Sequence, residues 1–177
     1  MTDVRITHEI DAAPVAATLT EHEGRWVLGI ERRLRHPRER VWRMLTQPDQ
    51  LARWSPVVPD RPLDSLGPAM ARENPEDAPV DATVLVCDPP VELVHRWGDQ
   101  VLRWTLAEEP AGTLLTLEQT FDDQEYAAAL GAGWHICLAT LAANEGGPDQ
   151  PERVVGDLAY DYGWEKLRDG YGEALNP

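Results

Sequence analysis

Four strand-like runs in close succession constrain this chain more than any other feature: Val80–Cys87, Val91–Trp97, Val101–Ala107 and Thr113–Phe121. The separators are turn material, Asp88-Pro89-Pro90, Gly98-Asp99 and Glu109-Pro110-Ala111-Gly112. Strands joined this tightly can pair only as an antiparallel meander, since a parallel return needs a crossover of a dozen or more residues. Alternation then assigns faces: Leu93, His95 and Trp97 share one side, Leu102, Trp104 and Leu106 make a second row, and Leu115, Leu117, Gln119 and Phe121 a third. After Phe121 the period changes. Trp134, Leu138 and Leu141 fall at i, i+4 and i+7, which predicts a long helix over about 124–144 with one stripe against the sheet.

The flanking segments complete an α+β order. Thr18–Thr20, a turn at Glu21–Gly24 and Trp26–Leu34 read as a hairpin, with Trp26, Leu28, Ile30 and Leu34 on one parity. Pro37 opens a helix carrying Val41, Trp42 and Leu45, and Pro48 starts a short second one carrying Leu51 and Trp54. Residues 55–79 are rich in Pro, Asp and Gly, and predict an excursion with at most one short strand near Met70-Ala71-Arg72. A last helix is predicted over about 152–175, with Leu158, Tyr162, Trp164, Leu167, Tyr171 and Leu175 docked and Asp157, Asp161 and Glu165 facing water. Residues 1–16 show no periodicity and read as a loose arm, leaving a single domain over 17–177 with 152–177 as an appended helix.

The net charge of −15 argues against nucleic acid and anionic membrane as partners, because phosphate demands a positive stripe. The arginines between Arg32 and Arg43 read as a solvated face. No run approaches the ~20 apolar residues that a membrane span needs, and the first residues lack the basic and apolar pattern of a signal peptide. The cytoplasm is the expected location. Cys87 and Cys137, in different elements, are expected as buried free thiols.

Several segments carry a resemblance. Ile30–Trp42, followed by Leu45-Thr46-Gln47-Pro48-Asp49-Gln50-Leu51-Ala52-Arg53-Trp54, resembles the opening of bacterial START-like (SRPBCC) proteins grouped with the activator of heat-shock protein 90 ATPase. Asp88-Pro89-Pro90 with Leu93 and Trp97, Gly112–Leu117, and Gly133-Trp134 with Leu138 and Leu141 resemble later motifs of that family. The resemblance implies a helix-grip fold, an antiparallel curved sheet wrapped around a long C-terminal helix and an internal hydrophobic cavity. It leaves open binding of a hydrophobic or amphipathic small molecule, a chaperone-assisting role with a protein client, and a cyclase or hydrolase activity. A homodimer stays open as well.

On that fold the expected ligand-binding residues are Trp54, His95, Trp97, Trp104, Gln119, Phe121 and Trp134. His95 is either an acid–base or anion-binding group or a core histidine bonded to a neighbour. Gln119 either fixes a ligand's polar group or satisfies a buried partner. Core packing is the expectation for most of the seven tryptophans, with Trp54 placed at the cavity mouth. His8, His22 and His36 are expected to be exposed, and His135 to reach the pocket or the terminal helix. No nucleophile, phosphate-loop, dinucleotide or metal-ligand spacing occurs, so neither a cofactor nor a metal is expected and binding without catalysis leads.

Overall fold

The computed structural model describes residues 1–176. Its frame is a six-stranded antiparallel sheet in the order β1-β2-β9-β8-β7-β6. The hairpin comes first, β1 (Thr18–His22) and β2 (Arg25–Leu34), turning at Glu23-Gly24, where both residues take positive φ (53° and 79°). The meander follows as β6 (Val84–Asp88), β7 (Glu92–Trp97), β8 (Gln100–Glu109) and β9 (Gly112–Phe121). Registers are regular apart from an irregularity at Val84–Val86, so the rows predicted by alternation stand opposite one another. Leu93 pairs Trp104, His95 pairs Leu102, Leu102 pairs Gln119 and Leu117 pairs Ile30. The predicted first run is interrupted: Val80–Asp81 pairs elsewhere and the sheet strand begins only at Val84.

A 3-10 turn at Gln124–Tyr126, capped by the Asp123 side chain (3.0 Å to the Glu125 N–H), leads into the long helix α4 (Ala127–Ala143). Trp134, Leu138 and Leu141 are buried against the sheet, as their spacing predicted. The opposite side of α4 is buried too. Ala132, Ile136, Ala139 and Ala143 pack against α1 (Val4–Ala12) and α6 (Trp164–Leu175). The layers are therefore sheet, core helix, outer helices, an α+β helix-grip arrangement. Because α4 is apolar all round, Gln124–Ala143 is long and apolar enough by composition to cross a bilayer, which the sequence reading did not detect. It is instead a core helix, with 67% of that window inside the fold.

Three predicted elements need correction. Residues 1–16 are not a loose arm: Asp3 caps α1 through the Arg5 N–H (2.9 Å), and Ile6 and Ile10, one turn apart, are buried on α4. The excursion folds into a small sheet of β3 (Val58–Pro59), β4 (Met70–Arg72) and β5 (Val80–Asp81), strands too short to show periodicity. The terminal helix is broken. Its first residues are irregular, α5 (Leu158–Asp161) is a single turn, and Gly156 and Gly163 take positive φ (55° and 81°) that interrupts a continuous helix. Leu167 and Tyr171 of α6 are buried and Asp157, Asp161 and Glu165 face water, as predicted, whereas Leu158 is exposed. α2 (Arg38–Thr46) and α3 (Pro48–Leu51) lie where Pro37 and Pro48 placed them.

Candidate functional site

The seven expected site residues come together, but as a packed wall rather than as the lining of one open cavity. Trp104 lies edge-to-face between Trp54 (centroids 5.9 Å apart) and Trp134 (5.5 Å), and Trp134 meets Trp97 at 6.1 Å. Trp54, Trp104, Trp134, His95, Gln119 and Phe121 are all buried, while Trp97 is half-buried. Trp54 is not at a mouth. It is wholly enclosed, and its indole N–H donates to the Met44 carbonyl (3.0 Å). Interlocking rings fill the concave space that the resemblance leaves for a cavity.

The polar groups in this wall satisfy one another. The Trp104 indole N–H donates to His95 Nε2 (3.1 Å), so Nδ1 carries the proton and donates to the Arg96 carbonyl (3.0 Å). Burial pushes the His95 pKa down to about 4, keeping the ring neutral around neutral pH. Gln119 accepts from the Trp134 indole (2.6 Å) and donates to the Gln100 side-chain oxygen. Both residues thus take the second of their two expected roles, the satisfied core group. The Cys137 thiol is buried and pushed up to about 12 by desolvation, so it is no thiolate; Cys87, expected to be buried, is only partly so. Among the described residues no three His, Cys, Asp or Glu side chains stand close enough to hold a metal ion.

A small cleft of about 240 Å³ opens over this wall, between the first half of α4 and the Val154–Ala159 segment. Trp97 and Trp134 reach it from the expected set; Trp164, Leu130 and Gly133 complete its apolar sides. Glu73 stands at it as a carboxyl whose pKa burial raises. Trp164 was missed as a site residue because its stripe was assigned wholly to docking. Gly133 is the more informative omission. Glycine in a helix interior costs roughly 0.5–1 kcal/mol against alanine, and its near neighbour Gly131 has a reason, since a Cβ there would sit 2.9 Å from the Tyr171 ring. A Cβ at Gly133 would meet nothing within 4 Å.

A second polar cluster lies between β2, α1, α4 and α6, built on residues read as solvated or ambiguous. Arg32 is buried, not part of a solvated face. Its parity, shared with Ile30 and Leu34, was the available signal. The Tyr171 hydroxyl accepts from Arg32 Nη2 (3.0 Å) and donates to His135 Nδ1 (2.8 Å), and His135 Nε2 donates to the Ile10 carbonyl (2.9 Å). His135 therefore turns towards the outer helices. His36, expected to be exposed, is buried against the Leu141 carbonyl (3.2 Å); His8 and His22 are exposed.

The model of the family described as Activator of Hsp90 ATPase homolog 1-like protein matches residues 35–144, from the end of β2 through α4. No curated protein matches the chain. Among solved structures it is similar to a conserved protein of unknown function, EF2215 from Enterococcus faecalis, at 19% identity over 94% of each chain with a TM-score of 0.71. It is also similar to CalU16 from Micromonospora echinospora, at 20% identity over 92% of this chain and 97% of that one, TM-score 0.67. MLL2253 from Mesorhizobium loti shares 25% identity over 63% of this chain and 90% of its own, TM-score 0.54. These likenesses speak to the fold.

Proposed function

The chain belongs to the Activator of Hsp90 ATPase homolog 1-like protein family, and within that family we propose that it binds a compact hydrophobic or amphipathic small molecule, without catalysis, in the cleft over Trp97, Trp134 and Trp164. Gly133 carries the reading. A glycine that the fold itself does not require lines this cleft from α4, and a side chain there would project into open space. Apolar aromatic walls with a single carboxyl, Glu73, suit a ligand with one polar end. The cleft is smaller than the ~300–1,000 Å³ of drug-sized sites, so the ligand is small. His95, neutral with both nitrogens engaged, and Cys137, held as a thiol, are not poised for acid–base or nucleophilic chemistry, which supports binding as the reading.

Titration calorimetry with a panel including 1-octanol, 2-naphthol and indole tests this. The expected result is saturable binding of at least one member, abolished in Gly133→Leu, whose Cβ has open space around it and whose longer side chain would take up room in the cleft. Equal binding by Gly133→Leu, or no binding by any member to the wild type, contradicts the proposal.

A further inference from the structure

A larger cleft, of about 730 Å³, lies along a different stretch of α4, where the hairpin comes apart. The last β1–β2 pair is Thr18–Gly29, so from Ile30 onward β2 keeps β9 on one side and loses β1 on the other. The gap is walled on the Arg32 side by Ala13, Pro14 and Ala17 of the α1–β1 link and by Leu138 and Ala142 of α4. Arg32 belongs to the same wall and is only 7% exposed. Its Nη1 donates to the Glu31 carbonyl (2.7 Å), its Nη2 faces the Tyr171 hydroxyl and His135 Nδ1, and its Nε–H has no acceptor.

All of those partners are neutral, since the His135 proton is committed to the Ile10 carbonyl. Among the described residues no carboxylate stands within 4.0 Å of Arg32, whereas Arg25, Arg35 and Arg38 each have one in Asp122, Glu9 and Glu108. The carboxylates around the cleft do not substitute. Glu9 is engaged by Arg35, and Glu31 and Glu118 leave the strands on the face opposite Arg32. A guanidinium keeps its charge at any ordinary pH, and a buried charge without a counter-ion is strongly unfavourable. In a chain of net charge −15, a buried and unpaired cation beside an apolar cleft is a selective feature.

We propose that this cleft binds an amphipathic carboxylate, with the aliphatic part along the Ala, Pro and Leu walls and the carboxylate drawn to Arg32. The site is separate from the tryptophan cleft and does not depend on it. Calorimetry below the micellar range, comparing dodecanoate, dodecanol and dodecyltrimethylammonium, tests it. Dodecanoate is expected to bind at least about tenfold tighter than the other two, as a charge-assisted hydrogen bond provides. Arg32→Met is expected to erase that preference, Arg32→Lys to keep part of it, and Gly133→Leu to leave dodecanoate binding unchanged. Should the Arg32 variants unfold, methyl spectra of the wild type decide: dodecanoate is expected to shift Ala13, Leu138 and Ala142. Equal affinity for the three probes, an undiminished preference in folded Arg32→Met, loss of dodecanoate binding in Gly133→Leu, or shifts confined to the tryptophan cleft overturns the proposal.

Discussion

Replacing His95 by glutamine should flatten the acid side of the stability profile. His95 is neutral in the fold because burial depresses its pKa from 6.5 to about 4, while the weaker bond to the Arg96 carbonyl pulls the other way. The unfolded chain therefore takes up the proton first as pH falls. The stabilisation is complete above pH 6.5, is lost between there and about pH 4, and changes no further below. The gap of about 2.5 between the two values, at ~1.4 kcal/mol per pH unit, amounts to about 3 kcal/mol in full. About 2 kcal/mol of it is gone by pH 5. His36 and His135, also depressed mainly by burial, add losses of the same sign. The informative quantity is thus a difference. Urea unfolding followed by tryptophan fluorescence at pH 7.5 and pH 5 should show the wild type losing about 2 kcal/mol more than His95→Gln. Parallel losses in the two proteins would refute the assignment of a neutral, desolvated imidazole bonded to Trp104.

Two glycines in α4 should respond to alanine with opposite signs. Gly131→Ala should cost about 1–3 kcal/mol through overpacking on the Tyr171 ring, while Gly133→Ala should gain roughly 0.5–1 kcal/mol of helix propensity; thermal melts that move both the same way contradict the packing. Tyr171→Phe removes the hydroxyl joining Arg32 to His135 and should cost about 1–3 kcal/mol in urea unfolding, so an unchanged midpoint would show the network contributes nothing. Deleting residues 152–177 bares the outer side of α4 and loses buried Leu167 and Tyr171, at about 1.5–3 kcal/mol for each large apolar side chain. A truncated chain with the same melting temperature would show that the segment is dispensable.

Period-two alternation made the sheet legible. One buried face fixes register, so Leu93, His95, Trp104, Gln119 and Phe121 were placed on the correct side by sequence alone. Whether that side encloses space is a matter of volume, which no periodicity encodes. The indole rings of Trp54, Trp104 and Trp134 lie far apart in sequence and meet only because the turn after α3, β8 and α4 converge. The missed first helix had readable signals in Asp3 as a cap and in the Ile6/Ile10 spacing, but nine residues give too few turns to stand out. Its stability comes from α4 and α6. Arg32 was hidden differently. A charged residue between Ile30 and Leu34 on the buried parity looks like an imperfection in the strand pattern until its three neutral partners are seen.

The central claim, ligand binding in the cleft over the tryptophan wall, is tested most directly by the indole N–H resonances of the seven tryptophans. In a ¹⁵N correlation spectrum titrated with 2-naphthol, the signals of Trp97 and Trp164, half-buried at the cleft, should shift saturably together with that of Trp134. Trp26 and Trp42, which do not line it, should stay fixed, and Gly133→Leu should abolish every shift. Shifts spread evenly over the seven indoles, or shifts that survive Gly133→Leu, would contradict the account.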